Sequence, residues 1–80
     1  MTTFKAHFGG YVKDMDADTA SIEIDNVHPA CGVSKGDLVK AARASFMPQP
    51  PMPSVGSYVE GNVVENANGQ TEFINIVRPV

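Results

Sequence analysis

One cysteine, six lysines and arginines in 80 residues, and no long apolar run are what this chain has little of. Cys31 alone makes no disulfide within one chain, and no charged-then-apolar leader pattern precedes it, so a reducing, cytoplasmic setting is expected. No stretch approaches the roughly 20 apolar residues of a spanning helix, so no membrane role is expected. A net charge of −3 weighs against a binder that relies on a strong positive field. His7 and His28 are the only histidines, whereas a structural zinc site takes four ligands, and no third group orients Cys31 as a nucleophile. Gly9-Gly10 lacks the helix and the lysine-serine pair of a phosphate loop. Neither a cofactor, a metal nor catalysis is therefore expected.

What is present suits one small globular unit spanning residues 1–80, with 42% hydrophobic and 19% charged residues. A chain of this size keeps about 3–5 kcal/mol of net stability from its core, which makes homo-oligomer formation a natural supplement. Residues 48–53 hold four prolines, with 47 residues before them and 27 after. Segments below about 40 residues rarely fold alone, and the tail carries Val59, Val63, Phe73 and Ile76, which need a partner sheet. The proline run is thus expected to be a stiff crossover inside one domain, because prolines cannot donate to a strand ladder. A second use, as a proline-rich ligand for an aromatic groove, is also open to it.

Period-two alternation predicts strands. Residues 3–13 place Phe4, Ala6 and Phe8 on one side and Lys5 and His7 on the other, with Gly9-Gly10 marking a bulge or bend. Residues 20–25 alternate again, and the polar stretch between makes a hairpin. That stretch imitates a calcium loop, but Thr19 stands where such a loop needs glycine and Asp25 where it needs glutamate, so an acidic turn is the better account. Residues 26–36 are expected to be a loop. Residues 38–47 fit a strand or a helix capped by Asp37, and the Gly36-Asp37 turn ahead of them favours the strand. Residues 57–66 and 71–78 form a final hairpin around Asn68-Gly69.

Five strands, glycines at the bend of the first, Lys35-Gly36-Asp37 leading into the third, a long connection before the fourth, and Val55-Gly56-Ser57-Tyr58-Val59-Glu60-Gly61 opening a last hairpin together resemble the oligonucleotide/oligosaccharide-binding (OB) fold. The resemblance implies an all-β, five-stranded small barrel acting as a binding module. An SH3-like barrel has the same strand count and is the alternative.

The candidate surface lies on the first strand. If the alternation passes unbroken through the glycines, Lys5, His7, Tyr11 and Lys13 share one face. An aromatic platform with cations beside it is the chemistry of single-stranded nucleic-acid binding, whether DNA or RNA. Lys40 or Arg43 on the third strand, and Tyr58 on the fourth, extend the set, although positions 40 and 43 differ in parity on a regular strand. An ordinary solvated strand face has the same composition. The alternative function is a protein-protein interaction module, a small accessory or regulatory subunit using a sheet edge, the proline loop or the acidic turn at residues 14–18.

Overall fold

A computed structural model describes residues 2–47 and 53–79. Five strands, β1 Thr3–Met15, β2 Thr19–His28, β3 Leu38–Ala42, β4 Tyr58–Glu65 and β5 Thr71–Val77, account for nearly all of its regular structure. They form one sheet in the order β3-β2-β1-β4-β5, each neighbour antiparallel. Three strands joined in succession, with the fourth returning beside the first, make a Greek key, a connectivity found in small β-barrels. Beyond β3 the chain comes back to β5, where Phe46 bridges Ile76 in parallel and the Met47 amide donates to the Ile76 carbonyl at 2.8 Å. The sheet is therefore a strongly curled half-barrel. The crossover expected over residues 48–53 lies outside the described residues except for Pro53, which is buried.

Alternation supplies the core. Ala6, Phe8, Val12, Ile22, Ile24, Val59, Val63 and Ile76 point inward and are almost fully buried, and Phe8 meets Phe73 edge-on with ring centroids 5.5 Å apart. Among the described residues no polar or charged side chain is buried. Curvature comes from extra residues in the ladders. Lys5 is unmatched between Phe4 and Ala6 against β4, Lys13 between Val12 and Asp14 against β2, and Asp25 of β2 between the partners of Gly9 and Gly10. On β5 the offset opposite Gly61 coincides with Asn75, whose φ of 55° is left-handed. Such bulges increase twist and bend the strand that carries them.

The same turn introduces β3 and β4. In Ser34-Lys35-Gly36-Asp37 and Ser54-Val55-Gly56-Ser57 the fourth amide donates to the first carbonyl, at 3.0 and 2.9 Å. The third residue is a glycine at φ 93° or 94°. In each the fourth side chain accepts from the first amide, Asp37 from Ser34 and Ser57 from Ser54.

Four expectations need correction. β2 runs on to His28, because Asn26 and His28 pair with Gly9 and His7 instead of opening a loop. The strand expected over residues 38–47 stops at Ala42. Arg43–Ser45 is a 3-10 turn, held by the Arg43 amide donating to Asp18 and the Phe46 amide donating to Arg43. The extra residue at the double glycine belongs to β2, so β1 continues straight through. Finally, Phe4 faces outward, because the bulge at Lys5 reverses the parity of everything before it. Among the described residues no helix is long and apolar enough to cross a membrane.

Candidate nucleic-acid interface

Because β1 keeps its alternation across Gly9-Gly10, His7, Tyr11 and Lys13 emerge on the outer face, and all are exposed. Phe4 joins them through its bulge, 50% exposed, with its ring 4.9 Å from that of His7. Directly across from Phe4 on β4 is Val64, buried to 4% yet outside the inner core, which gives this end of the outer face a small apolar footing of its own. The His7 Nδ1 and Asn62 Oδ1 atoms are hydrogen-bonded at 3.1 Å, fixing the ring along the sheet.

Tyr58 completes the row from the neighbouring strand. Its ring lies over Gly9, where any Cβ would collide with the phenol, and its hydroxyl accepts from the Asn26 amide on β2 at 3.0 Å. It thus reaches from β4 across β1 to β2. Tyr11, its register partner, packs against it with centroids 5.2 Å apart and planes inclined by 65°. Phe4, His7, Tyr58 and Tyr11 are therefore two contacting pairs of rings arranged along β1, with Tyr58 reaching over it from β4. Seven residue steps of about 3.3 Å make the row roughly 20 Å long.

The cations bracket this row. Lys5 pairs with Glu65 of β4 and Lys13 with Glu23 of β2, each at 3.2 Å, and all four side chains are well exposed. Lys40 and Arg43 lie elsewhere, at the β1–β2 hairpin end. Arg43 Nη1 donates to the Asp16 carbonyl at 2.7 Å, and Lys40, across β2 at Ser21, contributes a favourable field at the Asp16 carboxylate. The strand ends before Arg43, which resolves the parity conflict between positions 40 and 43.

The acidic turn is internally occupied. The Asp16 carboxylate accepts from the amides of Thr19 and Asp18 at 2.7 and 2.8 Å, and from the Thr19 hydroxyl. These backbone hydrogen bonds, first that of Thr19, hold its carboxyl below the ordinary value. Among the described residues no group of three or more His, Cys, Asp or Glu side chains is placed to hold a metal ion.

Sequence reasoning missed Phe4, Asn26, Asn62, Glu60 and His28 on the outer face. The signal for Phe4 was a bulge set by β4 pairing, which no local pattern carries. Compared with protein-family models, curated proteins and solved structures, the chain matches none.

Proposed function

We propose that the protein is a non-enzymatic, single-domain binding module that holds single-stranded nucleic acid on the outer face of β1 and works in the cytoplasm. The observation that carries this reading is the row Phe4, His7, Tyr58 and Tyr11, mounted on a strand and locked by cross-strand contacts. Every base has a face to stack, and a base on an aromatic ring contributes about 1–3 kcal/mol. Lys5 and Lys13 supply the phosphate contacts. Their present partners are exposed glutamates in pairs of about 0.2–1 kcal/mol, which a phosphate readily displaces. With a net charge of −3, binding is weak and depends on stacking more than on field.

The test is anisotropy of a fluorescent single-stranded oligonucleotide at several salt concentrations. Two phosphate contacts give a slope of log K against log salt of about −1.4. Tyr11→Ala is expected to reduce affinity about tenfold. Affinity that ignores both salt and Tyr11 contradicts the reading.

A second reading, a protein-interaction surface, is favoured by Leu38 and Val55, 65% and 60% exposed. Leu38 shares a cross-sheet row with Glu23, Tyr11 and Tyr58, and Val55 sits in the turn that pairs with Val12. An apolar partner or a second copy of the chain would cover both. Sedimentation across a dilution series distinguishes the second copy: a protomer mass at every concentration rules it out.

A further inference from the structure

Beside the aromatic row a groove of about 380 Å³ crosses β2, β1, β4 and β5, lined by Asn26, His28, His7, Glu60, Asn62 and Asn75, with no lysine or arginine in its wall. A phosphate meets no permanent positive charge there, and Glu60 repels it. Glu60 makes neither of the described ion pairs, which join Lys5 to Glu65 and Lys13 to Glu23. Asn62 has its oxygen engaged by His7, leaving its Nδ2 donors with no partner among the described hydrogen bonds. Glu60 and Asn62 are two residues apart on β4 and both face outward, so a carboxylate acceptor and an amide donor stand about 7 Å apart at the backbone. A glutamate side chain is long enough to span that spacing, so its carboxylate and the Asn62 amide can meet one ligand edge.

Resting on the reading of this face as a single-strand binder, we infer that the groove selects bases whose edge pairs an amino group with a ring nitrogen, cytosine or adenine, over thymine and uracil. The amino group donates to Glu60 and the ring nitrogen accepts from Asn62 Nδ2. Held in that same register, thymine and uracil offer a carbonyl where the amino group stands and an N–H where the ring nitrogen stands, so both contacts become repulsive. Asn26 ties the groove to the platform, since the same residue lines the groove and donates to the Tyr58 hydroxyl. A base stacked on the row has its neighbour within reach of the groove.

Fluorescent oligo-dC and oligo-dT of equal length isolate the base edge, because both are flexible pyrimidine strands with the same phosphates. The expected result is that oligo-dC binds about tenfold more tightly, a two-contact discrimination at the lower end of the usual range. In Glu60→Gln, where the carboxamide both donates and accepts, the ratio falls to about one even though overall affinity rises with loss of the negative charge. Salt-sensitive binding of both strands with equal affinity overturns the selectivity and leaves the platform standing. Binding of neither strand overturns both.

Discussion

The hydroxyl end of the Tyr58 ring sits over Gly9 of the adjacent strand and accepts a hydrogen bond from Asn26 one strand further on, at 3.0 Å. The missing side chain at Gly9 is what gives the ring its seat. Gly9→Ala is expected to tilt Tyr58 off the sheet, lose the Asn26 bond and cost about 1 kcal/mol, since only a side-chain tip has to move. Gly10→Ala differs. Its Cβ meets the Glu23 carbonyl and an Ile22 methyl on the inner side, where backbone cannot yield, and about 3 kcal/mol is expected. Urea midpoints at constant m separate the two; equal losses contradict this placement.

Phe46 closes the half-barrel. It is 5% exposed, bridges Ile76, and precedes the amide of Met47 that donates to Ile76. Truncating a buried phenylalanine costs about 3–5 kcal/mol, comparable to the whole net stability of a domain this size. Phe46→Ala is therefore expected to be largely unfolded by circular dichroism. Phe46→Leu stays folded at a lower midpoint. A fully folded Phe46→Ala protein would mean that the contact to β5 does not hold the sheet curled.

The Asp16 turn gives stability a pH dependence. Its carboxyl is held below the ordinary value in the folded chain by the amides of Thr19 and Asp18. That contribution is fully present above the unfolded-state pKa and disappears as the pH falls through the lower folded-state value. Acidification through the carboxylate range is thus expected to destabilise the native protein more steeply than Asp16→Asn, which retains an acceptor but no charge to lose. Parallel melting curves from pH 6 to pH 2 show the difference; identical slopes contradict it.

The inner half of this fold is legible in the sequence because burial enforces period two. Phe8, Val12, Ile22, Ile24, Val59 and Val63 appear where alternation puts them, and the turn at Asn68-Gly69 falls between the last two strands as expected. The failures share a cause. Phe4, the end of β2 at His28 and the offset at Asp25 depend on how one strand pairs with another, and a single bulge at Lys5 reverses an assignment that local composition supports. β3 is shortened for the same reason, since Arg43 leaves the ladder to bond the Asp16 carbonyl and the Asp18 carbonyl across the hairpin. In the site, His7, Tyr11 and Lys13 are legible as one face. The aromatic reach of Tyr58 and the amides beside it come only with the strand order.

Titration of the ¹⁵N-labelled protein with a short single-stranded oligonucleotide at low salt tests the account most directly, because it reports the surface and the binding together. The predicted result is a set of concentration-dependent amide shifts confined to Phe4, His7, Gly9, Tyr11, Tyr58 and the neighbouring outward residues, reversed by added salt. An unperturbed spectrum, or shifts gathered on Leu38, Val55 and the sheet edges instead, would contradict it.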